Sequence, residues 1–417
     1  MKAVILSIGD ELTLGQTVDT NSAYLSDQLV QRGIFPVYHE TIPDDQDMIA
    51  AAVERAASTN DVVLITGGLG PTDDDLTRQA VAQALGTTLE LDEESLQQIE
   101  DFFIKRGRVM SERNRVQAMC PMGAITLANS CGTAPGLRAK IHNARIYVMP
   151  GVPKEMRAMF ERQIATDLPT DTGKAIRTAK INTIGKGESD IAEILGDLAD
   201  RERNPLVGTT AANGVVSIRI RSEFPSEKEA DTQLAATIDE VEAKLGDLVF
   251  GRDDVSLPIA VGNLLKEHGK TVFTAESCTG GTIGKLLTDT AGSSAYYVGG
   301  AVTYSNKSKR DLLGVSIITI AEHGAVSETV AKAMAEGGLE HSHADYAISI
   351  TGIAGPDGGT ESKPVGTVWI GVAGRDGKNI DSQAHHFCFP GDRDMIRMRA
   401  AMTALNLLRV RVLHDVE

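Results

Sequence analysis

The sequence predicts an α/β protein in three parts: a doubly wound domain over residues 1–170, a small α+β domain over 171–252, and a second α/β domain over 253–417. Three observations predict it. The chain has 417 residues, and one domain takes roughly 150. Short β-branched runs alternate with segments of helical period, the pattern of strands joined by right-handed helical crossovers. Glycines cluster directly after several of these runs, at the strand-to-helix turns where such sheets hold ligands.

Taken in order, Lys2–Ile8 (KAVILSI) is a buried strand running into Gly9. Ser22 then caps a helix whose Leu25, Leu29 and Val30 share one face, and Gly33 ends it. FPVYHET reads as strand, Pro43 and Asp44 as turn, DMIAAAVERAAS as helix and DVVLITGG as another buried strand. The helical TRQAVAQALG, the charged LDEESLQQIEDFFIKRG and the strand ARIYVMPG complete the first domain. Pro and Thr cluster in LPTDTGKA, which marks a boundary. RTAKINTIG, a helix through SDIAEILGDLAD and the alternating VVSIRIRSEF make the α+β unit. From Asp254 the alternation resumes: helix LPIAVGNLLKEHG, strand TVFTAES, helix GGTIGKLLTD, strand YYVGGAVTYS and helix NKSKRDLLG. The strands DYAISITG and GTVWIGVAG and a long C-terminal helix finish it.

Hydrophobic residues at 42% and charged residues at 24% allow each domain a core and exclude wholesale disorder. Lys and Arg number 41 against 57 Asp and Glu; a net charge of -16 argues against direct nucleic-acid binding. Trp369 is the single tryptophan in a chain only 4% aromatic, so base-stacking platforms are sparse. Cys120, Cys131, Cys278 and Cys388 lie far apart, without metal or disulfide spacing, as in a reducing cytosol. The short apolar N-terminus turns acidic at once, and no run reaches the roughly 18 apolar residues of a membrane span. A cytoplasmic protein with no membrane partner is expected.

Two loops carry chemistry, TGGLGPTDD (Thr66 to Asp74) and TGIAGPDGG (Thr351 to Gly359), each after an apolar strand. At the N-terminal end, Gly9, Asp10, Glu11 and Gly15 follow the first strand, and Gly67, Gly68, Gly70, Asp73, Asp74 and Asp75 follow a later one. Glycines there let N–H groups cradle phosphate, and carboxylates such as Asp10, Asp73 and Asp75 hold a divalent ion such as Mg2+, which bridges carboxylate to substrate phosphate. The same residues also fit tight turns and an acidic helix start.

At the other end, TAESCTGG places Ser277 where a strand meets a Gly-opened helix, the position of a nucleophile. N–H groups of Gly280 and Gly281 are candidates for an oxyanion or anion site, and Lys309 in YSNKSK is the candidate base, with Tyr304 to relay or orient. A lysine shielded from solvent loses basicity and takes a serine proton. A bland alternative makes Ser277 and Thr279 helix caps and Lys309 a solvated residue. Cys278 is a rival nucleophile without a histidine partner, and His385 and His386 face opposite sides of a strand as packing residues.

GDELTLG, IPDD, TGGLGPTDDDLT and MPGVPKEM resemble the molybdopterin-binding fold of MoaB and MogA, in the version at the front of the competence/damage-inducible CinA family. The resemblance implies a nucleotide or pterin phosphate site at Gly67, Gly68, Gly70 and Asp75, with Asp44, and metal-dependent hydrolysis of ADP-ribose to AMP and ribose 5-phosphate. AESCTGG, AGSS, TYSNKSK, HGAVSE, SITGIAGPDGG, KPVGTVWIG and GDRDMIR resemble the nicotinamide mononucleotide amidase domain of the same family. That implies Ser277 as nucleophile, Lys309 as base and Tyr304 assisting. It also implies Thr279, Gly280, Gly281, Gly352, Gly355 and Arg397 around the ligand, and hydrolysis to nicotinate mononucleotide and ammonia without a cofactor. A homodimer is implied too. A reading from another class keeps the N-terminal fold as a nucleotide-binding or regulatory module without turnover.

Overall fold

The computed structural model describes residues 1–168, 173, 175–377 and 379–416. Residues 169–172 and 174 of the expected LPTDTGKA boundary lie outside the described residues. The chain gathers in two compact units, residues 1–177 with 222–232 and residues 178–221 with 233–417.

The first unit is built on a six-stranded sheet of β1 (Lys2–Ile8), β2 (Phe35–Ile42), β3 (Val62–Thr66), β6 (Ile125–Leu127), β7 (Gly136–Ile141) and β8 (Ala144–Met149), in the order β2-β1-β3-β8-β7-β6. A short pair of β4 (Leu89–Leu91) and β5 (Met119–Pro121) stands apart. Period two decides the layers. Val4, Leu6, Val63, Ile65, Ile146 and Val148 bury one face with the helix Gln46–Thr59. Ala3, Ile5, Val62, Leu64, Tyr147 and Met149 bury the other with the helices Thr20–Val30 and Pro153–Met159. Fully apolar runs such as VVLIT are what a strand covered on both faces requires.

Two local expectations change. The first long helix starts at Thr20 with Asp19 as its cap, the carboxylate accepting from the Ser22 N–H at 3.0 Å, so Ser22 lies inside the helix. With Asp19 as the cap, Ser22 is the third helical residue and supplies one of the free N–H groups at the helix start, instead of the acceptor for the N–H groups of Tyr24 or Leu25. The sheet is also not parallel throughout, because β8-β7-β6 run antiparallel. The hairpin turn at His142–Asn143 joins β7 and β8 without a crossover.

The second unit holds two sheets. β9 (Ala175–Ile184), β10 (Leu206–Ala212), β11 (Val215–Phe224) and β12 (Val249–Arg252) pair in the order β10-β11-β9-β12. Val207, Val216, Ile218 and Ile220 pack on Ile191, Leu195, Val241 and Leu245 from helices. The five-stranded sheet takes the order β14-β13-β15-β16-β17, from β13 (Val272–Glu276), β14 (Tyr297–Val302), β15 (Tyr346–Gly352), β16 (Thr367–Asp376) and β17 (Asn379–Cys388). β14-β13-β15 are parallel and β16 and β17 antiparallel. Ile348 and Ile350 face the helices Leu257–Glu267 and Arg393–Val416, and Ala347 packs on the helix Glu328–Ser342. Among the described residues no helix is long and apolar enough to cross a membrane.

Candidate active site

Ser277 is the first residue after β13, and its N–H donates to the Ile350 carbonyl of neighbouring β15 at 3.0 Å. Lys309 comes from the helix Asn306–Leu313, whose start is set by a reciprocal cap between Ser305 and Ser308. One turn on, Lys309 and Leu313 form its inward face while Lys307 pairs outward with Asp311 at 2.5 Å. Lys309 is 1% exposed, and its Nζ donates to Ser277 Oγ at 2.9 Å and to the Thr303 carbonyl at 2.8 Å. Burial among neutral partners holds its pKa below the ordinary lysine value. The solvated-lysine alternative is thereby excluded. Cys278 lies against the core, and burial pushes its thiol up to about 11, the wrong direction for a nucleophile.

The cleft around this pair, of about 290 Å3, is lined by Tyr304, Asn306, Val326, Gly352, Gly355 and Arg393 among others. Gly352 and Gly355 thus stand where expected. Tyr304 lines the cleft but is 60% exposed; its hydroxyl accepts from Arg393 Nη2 at 2.8 Å and bonds neither Ser277 nor Lys309. Arg393 also donates to the Gly355 carbonyl at 2.6 Å, so it joins three loops across the mouth. Among the described residues it has no carboxylate partner, which leaves a guanidinium facing the cleft with neutral acceptors only.

The glycine turn behind Ser277 behaves differently from expectation. Glu276, 1% exposed, accepts from the N–H groups of Gly281, Ile283 and Gly284 at 2.9, 3.2 and 2.9 Å. Gly280 N–H closes a turn on the Ser277 carbonyl at 3.0 Å. A carboxylate of the chain itself therefore fills the positive start of the helix Thr282–Thr288, and the Gly280 and Gly281 N–H groups are not free for an oxyanion. Thr279, Gly280, Gly281 and Arg397 do not line the cleft. Arg397 Nη2 instead donates to the Thr279 carbonyl at 2.8 Å and holds that turn. Arg393, the residue missed, sits one helical turn before Arg397 in the same GDRDMIR motif. The motif was legible; the arginine that reaches the cleft was not.

In the first unit a cleft of about 500 Å3 opens over the β1 and β3 ends, lined by Gly9, Glu11, Asp44, Gly67, Gly68, Gly70, Asp74 and Asp75 among others. Gly67 has φ +105, and a Cβ there would stand 2.2 Å from the Ile8 carbonyl, so the two loops approach as only glycine allows. Buried Arg78 donates to the Leu69 carbonyl at 2.7 Å and fixes the glycine loop from below. Asp75 spends its carboxylate on the N–H groups of Gly70 and Thr72 at 2.6 and 2.9 Å and on the Thr72 hydroxyl. Asp10 and Asp44 each accept from the other's N–H, at 3.2 and 2.8 Å. Asp10 and Asp73 do not line the cleft, whereas Glu11 and Asp74, one position away from each, do. Among the described residues no three acidic, histidine or cysteine side chains form a ready metal cage. Burial, with the charges of Asp10, Glu11 and Asp74, raises the Asp44 pKa. Such hard oxygens fit a divalent ion that arrives with a phosphate ligand, since Mg2+ commonly takes one or two carboxylates plus substrate oxygens.

Comparison with known proteins agrees with this architecture. Residues 4–170 match the model described as "Probable molybdopterin binding domain", residues 178–251 the "Damage-inducible protein CinA KH domain", and residues 255–412 the "CinA C-terminal domain". A CinA-like protein of Geobacter sulfurreducens is 42% identical, over 99% of this chain and 100% of its own. One of Chlorobaculum tepidum is 41% identical, over 99% of each. The crystal structure of a competence/damage inducible protein from Agrobacterium tumefaciens is 42% identical, covering 37% of this chain and 92% of its own with a TM-score of 0.36. With relatives this similar across nearly its whole length, the chain belongs to the CinA family of competence/damage-inducible proteins.

Proposed function

We propose that the second unit is a Ser-Lys amidase that hydrolyses nicotinamide mononucleotide to nicotinate mononucleotide and ammonia. The observation that carries it is the buried contact of 2.9 Å between Lys309 Nζ and Ser277 Oγ, with the lysine held toward its neutral form. Ser277 Oγ attacks the carboxamide carbon as its proton passes to Lys309 Nζ. The C–N bond breaks, and the proton leaves with ammonia. Water then attacks the acyl ester, gives a proton through Lys309 back to Ser277 Oγ, and frees the carboxylate. Because Glu276 occupies the Gly281 N–H, oxyanion donors come from the Cys278 N–H or from the loop Ile353–Gly358. Arg393 takes the substrate phosphate, with a charge-assisted fork that Tyr304 orients.

Ammonia release from nicotinamide mononucleotide in EDTA, by wild type and Ser277→Ala, tests this. Release by wild type alone is expected; release by the Ala variant, or none from folded wild type, overturns it.

The first unit we assign to a nucleotide, with ADP-ribose hydrolysed to AMP and ribose 5-phosphate. One or two of the lining carboxylates Glu11, Asp44 and Asp74, with substrate oxygens, would hold the divalent ion, which supplies Lewis-acid polarisation of phosphate when bound. Gly67, Gly68 and Gly70 let main chain approach the phosphates, and Asp75 keeps that loop in shape. AMP formation that requires added Mg2+ supports turnover, while tight binding without AMP formation supports the non-catalytic module. The chain acts as a homodimer in this reading; a sedimentation mass of one chain, unchanged by salt, would refute it.

A further inference from the structure

The cleft of the first unit is unbalanced in charge. Its lining carries the carboxylates of Glu11, Asp19, Asp44, Asp74, Asp75 and Glu155, and no lysine, arginine or histidine. A nucleotide phosphate adds negative charge to such a surface, and one divalent ion does not offset all of it. The missing positive charge stands nearby along the chain. In a protein of net charge -16, the segment KRGRVMSERNR carries Lys105, Arg106, Arg108, Arg113 and Arg115 against Glu112 alone.

Three other cations of this unit have carboxylate partners, Arg55 with Glu40, Arg138 with Asp167 and Arg177 with Asp231. Among the described residues the five cations of the basic segment make no ion pair. Arg106 lies over the Phe102 ring at 3.5 Å, and the others stand exposed beside Val109, which is 94% exposed. The segment is not remote from the cleft. It ends in the 3-10 turn Glu112–Ala118, whose Gln117 is buried, lines the cleft and accepts from Asn114 Nδ2 at 2.9 Å. With a rise of about 2 Å per residue in such a turn, the Arg115 and Arg113 backbones lie about 4 and 8 Å along it from Gln117.

We propose that the basic segment Lys105–Arg115, through Arg113 and Arg115 above all, is the cationic half of this site and binds the phosphates of the nucleotide held in the cleft. The proposal rests on the nucleotide reading of that cleft. It divides the work between two surfaces: carboxylates and glycines grip the metal-bound face of the phosphates, and arginines close on the other, supplying the bidentate contacts that the lining lacks.

Calorimetric titration of the full chain with ADP-ribose, AMP and adenosine, in Mg2+ and at two salt concentrations, tests it. The variants are Arg113→Ala/Arg115→Ala and, as the rival cation, Lys154→Ala on the helix Pro153–Met159. Arg113 and Arg115 are exposed and have no side-chain hydrogen bond among the described residues, so the double variant is expected to keep the fold, with circular dichroism as the check. Affinity for ADP-ribose and AMP is expected to fall about tenfold or more in the double variant, with adenosine unchanged and a flatter salt dependence. Equal phosphate affinities in wild type and double variant, or a loss confined to Lys154→Ala, overturn the proposal. Wild type that binds none of the three ligands overturns the nucleotide reading itself, a result visible before any variant is made.

Discussion

Lys309 owes its chemistry to where its ammonium is kept. A lysine in water titrates near 10.4 and is a poor base at neutral pH. Burial against Ser277 Oγ and the Thr303 carbonyl disfavours the charged form, so the neutral amine is reached at lower pH. The sign follows: activity needs neutral Lys309, so kcat/KM for ammonia release rises with pH through its lowered pKa, and the acid limb lies below the ordinary lysine range. A limb at the ordinary value would mean a solvated lysine. Lys309→Arg puts a cation that cannot be deprotonated in the same place, so a kcat loss of about 1000-fold or more is expected, together with a lower unfolding midpoint because that permanent charge is buried among neutral partners. The two arginines of the C-terminal helix separate by the same reasoning. Arg393→Ala removes a cleft-facing cation and is expected to raise KM for nicotinamide mononucleotide at little cost in stability. Arg397→Ala removes the donor to the Thr279 carbonyl and is expected to cost about 1 kcal/mol in unfolding, with KM altered less. Kinetics and urea titration of both variants check the split. GDRDMIR announced this region in the sequence, but which arginine points inward depends on how the helix crosses the sheet.

At the scale of elements, the serine and the lysine are held by different pieces, and their register depends on a close helix contact. In the helix Glu328–Ser342, a Cβ on Gly337 would stand 1.9 Å from the Leu313 carbonyl, at the end of the helix that carries Lys309. Gly337→Ala must therefore push that helix away. The expected result is a loss of about 1–3 kcal/mol from overpacking, together with a fall in kcat larger than any change in KM, since Lys309 moves while the cleft keeps its mouth. Thermal unfolding and steady-state kinetics report the two effects separately. Glu276 works on the other side of the serine. Its carboxylate satisfies the helix start that follows, so Glu276→Gln places an amide donor against N–H donors and is expected to lower the unfolding midpoint and ammonia release together. The AESCTGG pattern showed the strand-to-helix turn plainly. It did not show that the glutamate, rather than a ligand, takes the N–H groups, because that depends on a side chain folding back over five to eight residues.

At the scale of the whole molecule, each unit has its own cores, and substitutions divide accordingly. Gly67→Ala forces a methyl group onto the Ile8 carbonyl at a backbone φ of +105. Nucleotide binding by the first unit is expected to be lost while ammonia release by the second remains at its wild-type rate. Parallel calorimetry and ammonia assays on one preparation check this, and a joint loss would show that the units unfold together.

The sequence by itself determined the alternation of strands and helices, the glycine loops after Thr66 and Thr351, the Ser277 and Lys309 pair and the family, because each is carried by local period or by residues close in the chain. Tertiary structure alone decided the rest. It turned the first sheet antiparallel past β8, gave Asp75 to its own loop, moved the acidic lining to Glu11 and Asp74, and chose Arg393 over Arg397 for the cleft. Each of those outcomes depends on which way a side chain points once distant segments pack, and a shift of one residue along a turn, or of one turn along a helix, changes the group that meets the ligand.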